Sequence, residues 1–303
     1  MSSTTGKFTL RLDSSQLVLA MKCPTAHDFA YVQNLARKRE DKSAMDRGTV
    51  MHGLLERYYT FIWRKHDPVS SMNQAMGALI ELKKQVHLED DDYKLITQRF
   101  IDYVVKYRTD QIQIATVDTP QGPKPALEVG FSVVLVDNEN FYFVLEGRID
   151  MITIMSGNNV VWDHKAQGRR NLIYGHSVQC LNYTLVSNTN MFMHNYVRLH
   201  QKVQPDTYDR KLNFMSRRLQ VRWKKKVIDY FYKIAVSRME GNFIDKDFPN
   251  PACSDIGYGK KCPFTTVCEE FDPGLRRALI QLHYMPRKAW EPWSFDEIGL
   301  EVE

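Results

Sequence analysis

The chain has 303 residues, 43% of them hydrophobic and 25% charged, a composition typical of a folded globular protein and not of a disordered one. No apolar run reaches the roughly 18–20 residues that a membrane helix needs, and the segment Met1–Ser15 lacks the apolar centre of a secretion signal. The sequence therefore predicts a cytoplasmic protein with no membrane partner. Its net charge of +5 is compatible with a polyanionic partner.

The first part of the chain has a helical pattern. Ser14 and Ser15 can cap a first helix. A later helix carries His52, and a lone histidine on a helix is more often a surface or core residue than a metal ligand. The pattern stays helical through residues 70–115. The proline- and glycine-rich run at residues 118–125 then breaks it and is predicted to mark a boundary.

After this boundary the periodicity becomes alternating, as in strands. The predicted elements are strands at 127–133, 141–155 and 160–165, a helix at 174–187, strands at 191–199 and 208–212, and a helix at 215–239. The predicted regions are a helical part at 1–117, an α/β core at 126–244 and a loop-rich segment at 245–303. We expect the three regions to pack as one compact unit, with a central mixed sheet flanked by helices.

Polar side chains are predicted to converge at the end of the second and third of these strands. Asp163 and Lys165 are two residues apart and share one face of their strand, while His164 points to the other face. A hairpin that turns at residues 156–159 brings Asp150 near position 165. Because an unpaired charge is costly to bury, charged residues at the end of an apolar strand need a chemical reason.

Hydrolysis of a phosphodiester supplies such a reason. Two carboxylates can hold Mg²⁺, which prefers oxygen ligands, and the backbone carbonyl of His164 can add a third oxygen. Bound metal activates water and neutralises charge on the phosphate, and Lys165 can stabilise the developing charge. Gln179 and Tyr183 are four residues apart on the next helix and share a face, so they can position the lysine or the nucleic-acid backbone. The alternative is an exposed Asp–Lys ion pair.

Basic residues are concentrated in two places. The segment Arg217–Lys226 reads RRLQVRWKKK on a predicted helix, and Arg169 and Arg170 follow the Asp-His-Lys motif. Both favour contact with a polyanion. For the first cluster, a solvated helix face is an equally good interpretation.

In their order along the chain, these residues resemble the PD-(D/E)XK nuclease superfamily, in its RecB-like branch. The resemblance runs through His52, Gly147-Arg148-Ile149-Asp150, Asp163-His164-Lys165 and Gln179-x-x-x-Tyr183. It implies a restriction-endonuclease-like α/β core. It also implies that His52, Asp150, Asp163 and His164 bind the metal, that Lys165 is catalytic, and that Gln179 and Tyr183 support the site. Glu128 stands where some members keep a further acidic residue.

The activity implied is Mg²⁺- or Mn²⁺-dependent DNA cleavage, by an exonuclease acting on single strands or DNA ends in recombination, repair or replication. A helicase or recombinase is the partner that the resemblance suggests. Two alternatives stay open at this point: a structure-specific endonuclease, and a non-catalytic DNA-binding or assembly subunit that keeps the nuclease fold.

Five cysteines complete the set of chemically active residues. In an intracellular chain, spaced cysteines more often indicate metal or redox chemistry than disulfides. Cys23, Cys253, Cys262 and Cys268 resemble the one-plus-three pattern of the iron–sulfur subgroup of these nucleases, which includes AddB-type and CRISPR-associated RecB-like exonucleases, and four thiolates suit a [4Fe–4S] cluster. A structural zinc site and unliganded thiols are the alternatives. Cys180 is predicted to be a packed helix residue.

Overall fold

The computed structural model of the chain describes residues 6–38, 43–86, 88–120, 122–167, 177–240, 251–254 and 261–287. The strands are β1 (Phe8–Leu12), β2 (Leu35–Arg37), β3 (Gln113–Ile114), β4 (Thr116–Thr119), β5 (Gly122–Pro125), β6 (Leu127–Asp137), β7 (Phe141–Met155), β8 (Asn158–Gln167), β9 (Met191–Arg198), β10 (Tyr208–Phe214) and β11 (Tyr284–Pro286). The helices are α1 (Ser14–Lys22), α2 (Pro24–His27), α3 (Ser43–Trp63), α4 (Pro68–Gly77), α5 (Leu79–Gln85), α6 (Asp90–Tyr107), α7 (Val178–Val186), α8 (Arg217–Glu240), α9 (Pro251–Ser254), α10 (Thr265–Cys268) and α11 (Pro273–His283), with a π-helical turn at Asp28–Val32.

The described residues include a central sheet of seven strands. Its order is β1-β7-β8-β9-β10, and both β3 and β6 also pair with β7. The β1–β7 and β8–β9 pairs are parallel, whereas the β7–β8 and β9–β10 pairs are antiparallel. Helix α7 makes the crossover that a parallel β8–β9 pair requires. This mixed sheet flanked by helices confirms the predicted α/β class and is consistent with a restriction-endonuclease-like core.

The larger of two compact units draws its described residues from Asp41–Phe131 and Arg148–Gln220. Its core joins α3 and α6 to β8 and β9 through fully buried side chains such as Leu54, Phe100 and Val160. Because helix α3 packs on β8 with an apolar stripe, the polar residues beside that stripe are held next to the strand.

The smaller unit draws its described residues from Met1–Glu40, Ser132–Gly147 and Val221–Phe295. In this unit α8 packs on β7, where the rings of Phe143 and Phe231 lie 5.4 Å apart. A separate apolar cluster gathers residues from both ends of the chain, including Cys23, Phe29, Cys262, Phe264 and Tyr284.

Two local predictions were wrong. Helix α1 is capped by Asp13 and not by Ser14 or Ser15, because the Asp13 carboxylate accepts hydrogen bonds from the backbone N–H groups of both Ser15 (2.6 Å) and Gln16 (2.9 Å). The helical pattern predicted through residue 115 ends earlier, since Ile114 is buried and pairs with Thr153 of β7 as a strand.

The predicted boundary at residues 118–125 is instead a small hairpin of β4 and β5. Gly122 supplies the left-handed backbone of its turn, with φ +106°. Pro123 and Pro125 lie in a sheet of only two strands, where a free edge tolerates the missing N–H of proline. The breaker-rich composition of this run therefore corresponds to the turn of a hairpin.

A buried carboxyl group affects the stability of the smaller unit. Glu146 on β7 is 7% exposed, and a guanidinium nitrogen of Arg11 lies 3.5 Å from one of its oxygens. Burial, partly offset by Arg11, raises the pKa of Glu146 to about 7. Between the unfolded value of about 4.3 and about 7, the folded protein holds a proton that the unfolded chain has released.

We therefore expect the free energy of unfolding to fall as pH rises from about 4.5 to 7, in part because of Glu146. Glu146→Gln should reduce that fall by about 1–3 kcal/mol, since an amide carries no charge to bury. Urea unfolding at pH 5 and pH 8 measures the difference. Glu139→Gln, in the exposed turn before β7, is the control. An equal pH dependence in both variants would contradict the prediction.

Candidate metal-dependent active site

The β7–β8 hairpin brings two aspartates side by side. Met155 pairs with Asn158 and Met151 with Trp162, so the next positions along the two strands are Asp150 and Asp163. The sequence prediction placed Asp150 near position 165 and was wrong by two residues. A turn at 156–159 was expected, but the strands are joined by the two residues Ser156 and Gly157, and a shorter turn shifts the register.

Asp150 is held by the backbone of the neighbouring strand. The peptide N–H of His164 donates to Asp150 Oδ2 at 2.6 Å. Burial raises the pKa of Asp150 to about 6, although Lys165 and this hydrogen bond act in the opposite direction. A buried carboxylate with one oxygen fixed in this way is suited to bind a cation with its charge.

Lys165 lies between two oxygen atoms. Its ammonium donates to Asp163 Oδ1 at 2.8 Å and to Gln179 Oε1 at 2.8 Å. The Gln179 amide in turn donates to the Tyr183 hydroxyl at 2.8 Å, and that hydroxyl donates to the carbonyl of Arg148 on β7. The residues predicted on one face of the helix thus form a chain of hydrogen bonds that fixes the lysine.

The second oxygen of Asp163 has no such partner. Asp163 is 1% exposed, and its Oδ2 atom makes no hydrogen bond to any residue that the structure describes. Burial, with a further contribution from Asp150, raises the pKa of Asp163 to about 6 in spite of Lys165. A buried acceptor without a donor is costly, and a cation at this oxygen would remove the cost.

A compact set of possible metal ligands is formed by His52, Glu128 and Asp150. One ligand atom from each lies within 4.8 Å of the other two, and His52 Nδ1 is 3.7 Å from Asp150 Oδ2. Burial lowers the pKa of His52 to about 4, so the imidazole is neutral at pH 7, the form that binds metal. Helix α3 thereby places His52 beside a sheet residue almost a hundred positions later in the chain.

Glu128 has a strained backbone and a charged partner. Its φ of +50° is in the left-handed region, which is costly for a residue with a side chain and is concentrated at functional sites. Arg148 lies 2.9 Å from Glu128 Oε2. Burial and Asp150 together raise the pKa of Glu128 to about 8, against the effect of Arg148.

The donors present fit Mg²⁺ or Mn²⁺. They offer carboxylate oxygens and one neutral imidazole in a buried site, including the unpaired Oδ2 of Asp163, and hard divalent cations take such ligands. The compact set contains Glu128, whereas the set predicted from the sequence contained Asp163 and the carbonyl of His164. The His164 ring points to the side of β8 opposite to Asp163, where it stacks on Tyr59 and lies 5.9 Å from the ring of His52.

The sequence interpretation assigned no role to Arg148. The signal was available, because Arg148 precedes Asp150 by two residues on one strand and so shares its face. The paired basic residues Arg169 and Arg170 lie outside the described residues, as does the start predicted for α7 at residue 174.

Four cysteines come together in the smaller unit. Cys23 and Cys262 are each 6% exposed and share one apolar cluster, against which Cys268 packs. The Cys262 N–H donates to the Cys253 carbonyl at 3.2 Å. Burial and then the charges of Cys23, Cys253 and Cys262 raise the pKa of Cys268 to about 11. The fifth cysteine, Cys180, is fully buried in α7 of the other unit.

Comparisons with known proteins relate the chain to one family. A model of the PD-(D/E)XK nuclease superfamily matches residues 11–269. Two solved structures are distantly similar. SSO0001 has 9% identity and a TM-score of 0.29, with 72% of this chain and 85% of that chain covered. A "Putative exonuclease" from Eubacterium rectale has 10% identity and a TM-score of 0.42, with 76% and 82% covered. A search of curated proteins found no match.

The family match spans α3, the β7–β8 hairpin and α7, the elements that supply His52, Asp150, Asp163, Lys165 and Gln179. No helix among the described residues is long and apolar enough to cross a membrane. With its motifs and its sheet in agreement with a match over most of its length, the chain belongs to the PD-(D/E)XK nuclease superfamily.

Proposed function

We propose that this protein is a metal-dependent deoxyribonuclease that degrades single-stranded DNA or DNA ends as an exonuclease. The observation that carries the proposal is the position of Lys165, whose ammonium is held between Asp163 and Gln179. Beside it lies the buried Oδ2 atom of Asp163, which accepts no hydrogen bond from the described residues. A non-catalytic subunit would have no need to keep a buried acidic cluster together with an oriented ammonium group.

In this mechanism one group of side chains binds the metal and another acts on the water and the phosphate. The chemistry that Mg²⁺ or Mn²⁺ supplies when bound is activation of water and neutralisation of phosphate charge. His52, Glu128, Asp150 and Asp163 are the residues that would hold it. Lys165 orients the attacking water and stabilises negative charge on the scissile phosphate.

Gln179 and Tyr183 act as positioning residues. Their hydrogen bonds link the lysine to the backbone of β7, so the ammonium does not have to be ordered when the substrate binds. Arg148 balances Glu128 when no substrate is present, and its guanidinium can also pair with a phosphate oxygen.

Nucleic acid fits the charge of helix α8. Six exposed basic residues lie within its first ten positions: Arg217, Arg218, Arg222, Lys224, Lys225 and Lys226. None of them forms an ion pair with an acidic residue in the part of the chain that the structure describes. Like charges at adjacent turns destabilise a helix by a few tenths of a kcal/mol per pair, which is consistent with a surface kept for a polyanion.

The preference for ends and single strands rests on the resemblance to RecB-like exonucleases. In the same proposal the protein acts in the cytoplasm, in recombination, repair or replication, with a helicase or recombinase that provides single-stranded DNA. End-labelled linear DNA and closed circular single-stranded DNA test the end requirement. Cleavage of the circle would favour the structure-specific endonuclease instead.

We also propose that Cys23, Cys253, Cys262 and Cys268 bind a [4Fe–4S] cluster. Their thiol groups are close enough to influence one another's pKa, and their one-plus-three order along the chain resembles that of the iron–sulfur nucleases. Four thiolates suit such a cluster, and a single zinc ion is the alternative.

The first test is loss of cleavage. Asp150→Ala and Lys165→Ala should each reduce Mg²⁺- or Mn²⁺-dependent DNA degradation by about 10³-fold or more. Mn²⁺ should raise the melting temperature of the unsubstituted protein, because a ligand that binds only the folded state stabilises it. It should not raise that of Asp150→Ala, which lacks a metal ligand. Asp118→Ala and Lys124→Ala, on the β4–β5 hairpin, are the matched controls. Full activity in both site variants would refute the proposal.

The cluster is tested by anaerobic purification. We expect a brown protein with iron and sulfide in about four-to-four ratio, and loss of both in Cys262→Ser. Cys180→Ser should keep them, because Cys180 lies in the other unit. Colourless protein with one zinc per chain would overturn the iron–sulfur assignment and establish the zinc alternative.

The α8 surface is tested by the salt dependence of binding. All proteins in this test carry Lys165→Ala to prevent cleavage, and one also carries Arg222→Gln, Lys225→Gln and Lys226→Gln. The slope of the logarithm of the DNA-binding constant against the logarithm of salt concentration should become shallower in that variant. The expected change is about 0.7 for each phosphate of a single strand that is no longer neutralised. Lys84→Gln with Lys94→Gln, which are exposed but paired with acids, should leave the slope unchanged. An equal slope in all variants would make α8 a solvated face.

A further inference from the structure

His164 connects the metal site to a second polar group on the other side of β8. Its peptide N–H holds Asp150 at 2.6 Å. Its side chain, on the opposite face of the strand, is only 4% exposed. Any shift of this ring therefore moves the peptide that fixes a metal ligand.

The ring is held by an aromatic and an amide. Tyr59, two turns after His52 on α3, stacks on the imidazole with 5.9 Å between centroids and 6° between planes. Asn195 Nδ2 lies 2.8 Å from His164 Nδ1, since the two residues are paired across β8 and β9. Which of the two atoms donates depends on the direction of the Asn195 amide.

Asn195 can point in only one direction. Its Oδ1 accepts hydrogen bonds from the Tyr103 hydroxyl at 3.1 Å and from Arg210 Nε at 3.3 Å. Since the guanidinium has only donors, the amide oxygen must face Arg210 and the amide nitrogen must face His164. His164 Nδ1 is consequently the acceptor, and its proton is on Nε2.

Arg210 anchors the network from β10. It also donates to the hydroxyls of Tyr59 (3.1 Å) and Tyr103 (2.8 Å), pairs with Asp110, and lies 3.6 Å over the ring of Tyr107. A buried charge of this kind is weak evidence for stability, because packed apolar residues often serve as well. Its value is in fixing one geometry.

We propose that Asn195, oriented by Arg210 and Tyr103, is a positioning residue of the metal centre that acts through the His164 ring and peptide on Asp150. The proposal rests on the proposed metal-dependent function and adds to it a support on the side of β8 that faces α3, where the His164 ring also lies 5.9 Å from the ring of His52. Outer residues that orient ligands typically change metal affinity by about 10–100-fold when replaced.

Asn195→Asp tests this with almost no change of shape. The carboxylate can still accept from Arg210 and Tyr103, but it cannot donate to His164 Nδ1. We expect the Mn²⁺ dissociation constant, measured by calorimetry without substrate, to rise about tenfold. The ¹⁵N spectrum of His164 should show a proton on Nδ1, and cleavage should recover at high Mn²⁺ concentration, as a purely structural defect would not.

Tyr103→Phe is the second variant, in case Asn195→Asp does not fold, and it should weaken Mn²⁺ binding in the same direction. Tyr58→Phe removes a hydroxyl from a buried tyrosine of α3 that takes no part in the network, and should bind Mn²⁺ normally. A folded Asn195→Asp, or failing that a Tyr103→Phe, with unchanged affinity overturns the positioning role alone. Absence of Mn²⁺ binding in the unsubstituted protein overturns the proposed function and this inference with it. If the variants bind Mn²⁺ more weakly but the unsubstituted protein cuts no DNA, the positioning role stands and the proposed nuclease function is refuted.

Discussion

The gathering of acidic groups in a buried place is the constraint on which the site depends. Glu56, Glu128, Asp150 and Asp163 all have a raised pKa, and burial is the main cause in each case. Groups whose charged form is disfavoured in the fold reduce stability at neutral pH. The chain keeps them nevertheless, with a left-handed backbone at Glu128, which is the pattern of a site that favours function over stability.

The surrounding elements can be understood as supports for these charges. Helix α3 supplies His52 and, one turn later, Glu56; the β7–β8 hairpin supplies both aspartates. The lysine is not simply near the acids but held by Asp163 and Gln179 at equal distances of 2.8 Å. On the side of β8 that faces α3, His164 connects a network of amide and phenol groups to Asp150. The lysine and Asp163 thus hold each other, while Asp150 is held by the backbone of β8, and both arrangements are in place before substrate binds.

Sequence reasoning brought Asp163, Lys165, Gln179 and Tyr183 into one candidate site because these residues are close along the chain or lie in periodic patterns. The strand at 141–155 was predicted with the observed bounds, and the shared face of Asp163 and Lys165 follows from the period of a strand. It misplaced Asp150 because the register depends on turn length, which periodicity does not report. The strand Gln113–Ile114 was missed because pairing with β7 overrides local pattern. Asn195 and Arg210 were missed because nothing in a single sequence links residues on β9 and β10 to a tyrosine on α3.

The cysteines and the acidic site present the same physical problem with similar consequences. After burial, which is the larger cause, Asp150 raises the pKa of Glu128 and of Asp163. In the same way Cys23 and Cys253 add to the effect of burial on the pKa of Cys262 and of Cys268. Groups that repel when charged are expensive to assemble unless something positive binds all of them. Among the described residues, Lys165 and Arg148 pair with these acids, Arg57 also acts on Glu56, and Arg276 acts on Cys268. Asp163 Oδ2 has no hydrogen-bond partner among the described residues in spite of these cations, so the assembly of the acidic set is best explained by a divalent cation that the chain binds. The same reasoning underlies our proposal of a metal centre at the cysteines.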